Sequence, residues 1–278
     1  MAAPLTHATS GSERLRHGLK WTVYVLLVLN FGYYAAEDWR AAQTVLSAES
    51  TWLDFANAYA TTLDELGWFA LLAIFEIETY WIEQQLDRAA AWLLGAVRVA
   101  AYAIVLHTIY AYAINVVDVQ TAGSLTRQDG LCAFSSDSYS FLRNLKYSEI
   151  TEESCAALSD DTRFRLVKRD NALTDSAGWV EALRLAWVDL IEATCWLLII
   201  LLIEAAIRLQ DRGMFQSAWI ARISRANIAL YSVIVAAAVY WAFKGHWVYA
   251  WDEFLWVAGF LAIEGNLAEW RDDLRKAE

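Results

Sequence analysis

Proline is almost missing from this chain. The one residue, Pro4, lies outside every apolar run. Proline kinks or breaks helices, and many transporters build their sites from broken helices. Straight helices are therefore expected, and a transporter of that kind is disfavoured. Glycine is scarce as well, with 12 residues against 15 Trp and 13 Tyr, which suits a solid bundle. There are 4 His and no His-x3-His pair, so a zinc or haem reading lacks its ligands. His107 sits mid-run in Leu-His-Thr and is expected to be buried and hydrogen-bonded to a neighbouring helix. A haem or quinone site would need a second, facing ligand that the sequence does not place. No nucleophile elbow, phosphate loop, Cys-x2-Cys pair or metalloprotease helix is present. The chain is accordingly not expected to be an enzyme, and no cofactor or metal is indicated. Positive net charge is also lacking. At -11 the chain is a poor partner for nucleic acid.

Hydrophobic residues, by contrast, make up 58% of the chain, and mean hydropathy is +0.29. The excess falls in discrete runs, many with Trp or Tyr at their edges, the aromatic-belt position of a bilayer interface. About 20 mainly apolar residues are needed to cross a bilayer. Six runs qualify, roughly 18–36, 64–83, 97–117, 182–207, 226–246 and 250–268. The expected fold is an all-α integral membrane protein: six transmembrane helices in three tandem hairpins, with a small extracytoplasmic cap. The first run could be taken for a signal peptide, but Glu37-Asp38-Trp39 is a poor cleavage context, and a retained helix is expected.

Basic residues set the orientation. Arg14, Arg16, Lys20, Arg88, Arg98, Arg208, Arg212, Arg222, Arg225, Arg271, Arg275 and Lys276 fall on one side. Only Arg40 and Lys244 fall in the short connections opposite. By the positive-inside rule both termini are cytoplasmic, in a plasma or bacterial inner membrane. The remaining eight lie in the long 118–184 connection, where the rule carries little weight. That connection is then outside the cell membrane. It holds Cys132 and Cys155, while Cys195 lies in the fourth run. An oxidising compartment favours a Cys132–Cys155 disulfide. Short helices around 138–147 and 149–158 are expected in the cap. The cap is also the expected docking face for a protein partner, and the chain is expected to be an oligomer or a subunit of a complex.

The pattern Asp-Glu-x-x-Trp-x7-Glu occurs as Asp64, Glu65, Trp68, Glu76 and again as Asp252, Glu253, Trp256, Glu264. A looser copy keeps Trp196 and Glu204, with Asp189 and Glu192 upstream. The tyrosines echo it: Tyr24 and Tyr33, like Tyr231 and Tyr240, are nine apart. This divides the chain into a segment 1–17, hairpins at 18–83, 97–207 (with 118–181 inserted) and 226–268, and a tail 269–278. A pseudo-threefold repeat is the expectation.

A charged group inside a bilayer costs about 2.5–3.5 kcal/mol on insertion scales, so Glu76, Glu204 and Glu264 are functional candidates. Facing one another, they could bind a cation or exchange protons, and the leading expectation is a cation- or proton-conducting protein. In the structural alternative each Glu pairs across its hairpin with Lys20, Arg98, Arg222 or Arg225. Arg208, four residues beyond Glu204, offers another pairing. The chain would then be a non-conducting scaffold or anchor subunit. Asp64, Glu65, Asp189, Glu192, Asp252 and Glu253 are expected to open inward-running helices, where the dipole favours acids, or to form an outer acidic vestibule. Trp68, Trp196 and Trp256 are expected to pack the helices together.

Overall fold

The structure, a computed structural model, describes residues 11–46, 50–81, 88–137, 139–168, 171–214 and 217–261. In chain order its helices are α1 (Gly11–Val45), α2 (Trp52–Ala58), α3 (Ala60–Trp81), α4 (Arg88–Gln120), α5 (Cys155–Leu158), α6 (Ser176–Asp211) and α7 (Ala218–Phe243). Residues 247–261 are also helical, and we call them α8. Among the described residues three helices are long and apolar enough to cross a membrane: Arg88–Gln120, Ser176–Gln210 and Ala218–Phe243. The chain divides into two compact units, one of Met1–Val105 with Ala238–Glu278 and one of Leu106–Ala237.

In the first unit α1 and α3 run antiparallel. Lys20 meets Glu76, Phe31 meets Phe69 edge-on at 5.8 Å, and Asp38 accepts from the Thr62 N–H at 2.8 Å. The α8 helix lies on both. Trp256 packs 6.3 Å from Trp68 and 5.3 Å from Phe69, and a Cβ on Gly259 would touch Leu27 Cδ1 at 3.4 Å. The α3 helix also approaches the middle of α4 closely. A Cβ on Gly67 would stand 3.3 Å from Ile104 Cγ2, so the small residue permits the contact.

In the second unit Ile199, Ile200 and Ile203 of α6 and Ile234 of α7 are buried, and Trp196 of α6 lies edge-on to Tyr231 of α7 at 6.1 Å. The α6 helix ends in a Schellman motif. Gly213 takes φ +77°, Met214 N–H donates to the Leu209 carbonyl and Gly213 N–H to that of Gln210. Gly245 (φ +83°) ends α7 in the same way.

The cap corrects the all-α expectation. It carries a five-stranded sheet in the order β1-β4-β5-β2-β3. The strands are β1 (Gly123–Thr126), β2 (Ser140–Arg143), β3 (Lys146–Glu149), β4 (Arg163–Val167) and β5 (Ala172–Asp175). Where a helix was expected at 138–147, β2 and β3 form a hairpin. Its two turn residues, Asn144 and Leu145, both take positive φ, as a tight primed turn requires. Of the 149–158 helix only Cys155–Leu158 is α-helical. Cross-strand pairing outweighs helix propensity because β2 buries both faces. Phe141 joins Leu131, Phe134, Ile150, Cys155, Phe164 and Leu173, while Leu142 joins Val119, Ala122, Val167, Ala172 and Ala182. The second cluster seats the sheet on the end of α4 and the start of α6. Cys132 and Cys155 are disulfide-bonded, with Cα atoms 5.0 Å apart.

Asp175 joins sheet to helix. It ends β5 and caps α6, its Oδ1 accepting from Gly178 N–H at 2.7 Å. Its Oδ2 accepts from Ser159 Oγ at 3.1 Å, with Arg143 3.5 Å away. Asp175→Ala leaves the buried Gly178 N–H and the partly buried Ser159 hydroxyl without this acceptor. A loss of about 2 kcal/mol in cap stability is expected, with a smaller loss for Asp175→Asn. The midpoint of chemical unfolding followed by cap tryptophan fluorescence measures it. An Ala variant as stable as wild type contradicts the role.

Candidate functional site

A charged site in the first unit is built from Lys20, Tyr24 and Glu76. Lys20 and Tyr24 are one turn apart on α1, so both project to the same side. Glu76 faces them from α3. Its Oε2 takes the Lys20 ammonium at 2.6 Å and its Oε1 accepts from the Tyr24 hydroxyl at 2.5 Å. The side chains are 8% and 20% exposed for Lys20 and Glu76, so water contributes little screening. The ammonium also lies 5.5 Å from the Tyr24 ring centroid. Both carboxylate oxygens are thus engaged by charge-assisted bonds. The Lys20 pairing is one of those foreseen from the hairpin arrangement. Tyr24 was not foreseen as a partner, although its place one turn after Lys20 is the signal that points to it.

Glu204 lies in the second unit, on α6. It meets Arg208 of its own helix at 3.4 Å, and Arg208 is 69% exposed. Such an exposed i,i+4 pair contributes only a few tenths of a kcal/mol. Glu264 lies outside the described residues.

The outer acids do not open helices. The α3 helix starts at Ala60 with no acid in its first turn, and α6 starts at Ser176, well before Asp189 and Glu192. The macrodipole acts within the first turn, so it is not what places them. Nor do they all line an open vestibule. Glu65 is 5% exposed and Glu192 6%, while Asp64, Asp189, Asp252 and Glu253 are half-buried.

In the first unit several of the outer acids and two tryptophans come together. Trp256 Nε1 donates to Glu65 Oε1 at 3.4 Å, and Trp68 Nε1 to Asp64 Oδ2 at 3.2 Å. Asn30, buried in α1, donates to Asp252 Oδ1. Glu65 Oε2 is buried with no hydrogen-bond partner among the described residues. Asn30 is a site residue that the sequence reading passed over, though an amide inside an apolar run signals a polar partner.

His107 corrects a further expectation. It is exposed on α4 and makes no hydrogen bond or ion pair among the described residues. Its turn of the helix directs Val105 and Thr108 inward instead. His246 stacks on Tyr249, ring centroids 5.5 Å apart. Among the described residues no three His, Cys, Asp or Glu side chains gather so that they could hold a metal ion. Compared with known proteins, the chain matches no family model, no curated protein and no solved structure.

Proposed function

We propose that the chain is an integral membrane protein of six spans in three hairpins, with both termini cytoplasmic, that serves as a non-conducting anchor subunit. It holds the disulfide-closed cap outside, where a protein partner docks, and offers straight aromatic-rich helices to other subunits. The membrane setting is supported by where the exposed tryptophans lie. Trp21 and Trp39 on α1 are 64% and 59% exposed. They stand about 27 Å apart along the helix at its usual rise, close to a hydrocarbon core. Trp92 and Trp219, both exposed, flank the starts of α4 and α7 in the same way. The disulfide supports a cap in an oxidising compartment, in agreement with the basic residues.

One observation carries the non-conducting reading: Glu76 is held by Lys20 and Tyr24. A carboxylate that passes ions must exchange its partners for water or a cation. This one is neutralised inside its own hairpin, as structural ion pairing requires. A second reading, cation or proton transfer through intramembrane carboxylates, is favoured by Glu65, whose buried Oε2 lacks a partner among the described residues. Flux of protons, Na+ and K+ into proteoliposomes separates the two. No flux above protein-free vesicles is expected. Wild-type flux that falls in Glu65→Gln or Glu76→Gln would overturn the anchor reading.

A further inference from the structure

We propose that the side of the cap sheet turned toward the helix ends binds the phosphate of an anionic phospholipid, through Arg163 and Arg165 of β4 with Ser124 and Thr126 of β1. The inference rests on the membrane reading of α4 and α6, with the cap outside, and not on whether the protein conducts. Every residue in it belongs to the second unit.

Pleating puts alternate residues of a strand on one face, so Arg163, Arg165 and Val167 share a side of β4. Val167 identifies that side. With Ala172 it packs on Val119 and Ala122 at the end of α4 and on Ala182 near the start of α6. In the antiparallel pairing of β1 with β4, Ser124 stands opposite Arg165 and Thr126 opposite Arg163. Two arginines and two hydroxyls thus form one block on the helix-facing side. Arg163, Ser124 and Thr126 are exposed, and Arg165 is half-buried. Neither arginine forms an ion pair among the described residues.

Arg165 is held in place by the fold itself. Trp179, at the start of α6, donates from Nε1 to the Val119 carbonyl at 2.8 Å, which fixes its ring. The Arg165 guanidinium lies 3.8 Å from the centroid of that ring and donates to the Ala122 carbonyl at 3.3 Å. A guanidinium carries five N–H donors in a planar fork that matches phosphate. Most of those on Arg165 are unspent among the described residues. Arg163 adds a second guanidinium about 7 Å along the strand. Depth selects the ligand. The apolar run of α6 begins at residue 182, only three residues past Trp179, or about 4.5 Å along the helix. A tryptophan at that place marks the headgroup level, where the lipid phosphates lie. An anionic headgroup there has the charge that complements the two arginines.

The test uses the full chain in detergent micelles, with bound lipid read by native mass spectrometry. Phosphatidylglycerol is the probe and phosphatidylcholine the comparison. Wild type should bind phosphatidylglycerol the more tightly. Arg163→Gln, which leaves the Arg165–Trp179 contact intact, should weaken that binding about fivefold, and Arg163→Gln with Arg165→Gln about thirtyfold. Arg127 lies over Phe134 and Lys146 pairs with Arg143, both on the other face of the sheet. Arg127→Gln with Lys146→Gln removes the same charge and should bind as wild type does. Equal binding of the two lipids by wild type, an Arg163→Gln variant that binds like wild type, or an equal loss in the other-face variant overturns the proposal. So does displacement of the lipid by inorganic phosphate, which would mark a site for small anions. Alkaline carbonate washing of the membranes keeps the two readings apart. Protein released by it would refute the membrane reading, whereas protein that stays with the lipid but shows no preference for phosphatidylglycerol refutes the lipid site alone.

Discussion

Glu76→Gln should cost about 3–5 kcal/mol of stability, the usual loss when one partner of a buried ion pair is removed. Lys20 is the reason. Its side chain is 8% exposed, and its ammonium sits 2.6 Å from the Glu76 oxygen that the change replaces. The glutamine can still accept from the Tyr24 hydroxyl, so the uncompensated charge dominates. Lys20→Met in the Glu76→Gln background should recover much of the loss, because the stranded cation is gone. Thermal unfolding in one detergent, measured on both single variants and the double, gives the coupling directly. A Glu76→Gln melting temperature equal to wild type would show that the pair is solvated and would remove the main support for the anchor reading. The same variants serve in the flux measurement, so stability and conduction are read on identical protein.

Loss of the Cys132–Cys155 bridge should lower cap stability by about 3 kcal/mol through the freedom returned to the unfolded chain. The bridge spans a sequence separation of 23 and ties the turn at Gly130–Phe134 to α5. Cys155 and Phe134 belong to the cluster on one face of the sheet, so loosening the link exposes that cluster as well. Two measurements check it. Alkylation after denaturation should label one thiol, Cys195, without reductant and three thiols with it. Limited proteolysis should then cut the cap of Cys132→Ser at much lower protease concentration. Three labels without reductant would mean that the bridge does not form in the cell.

Much of the helical part is legible because long apolar runs are best satisfied by a helix, which pairs every backbone hydrogen-bonding group within the segment. The α4, α6 and α7 helices follow from their apolar stretches. The Lys20–Glu76 pair follows from antiparallel neighbours whose charges fall at matching depth. Less legible is the cap. Its strands are four or five residues each, too short for a periodic signal, and β2 buries both faces and so shows no alternation. Strand pairing between distant segments decides there, as when β4 lies between β1 and β5.

By itself, then, the sequence determined that the chain is hydrophobic, helix-rich and asymmetric in charge, that two of its cysteines fall in one polar insertion, and that carboxylates sit inside apolar runs. Those are properties of segments, set by composition and spacing. Only the tertiary structure decided what each polar group meets. Glu76 meets a cation and a phenol, Asp252 meets Asn30, Glu65 is buried against Trp256, and His107 faces outward. Helical periodicity fixes which side chains share a face but not which way that face turns. The turn is set by packing between helices, through contacts such as Gly67 against Ile104 and Gly259 against Leu27.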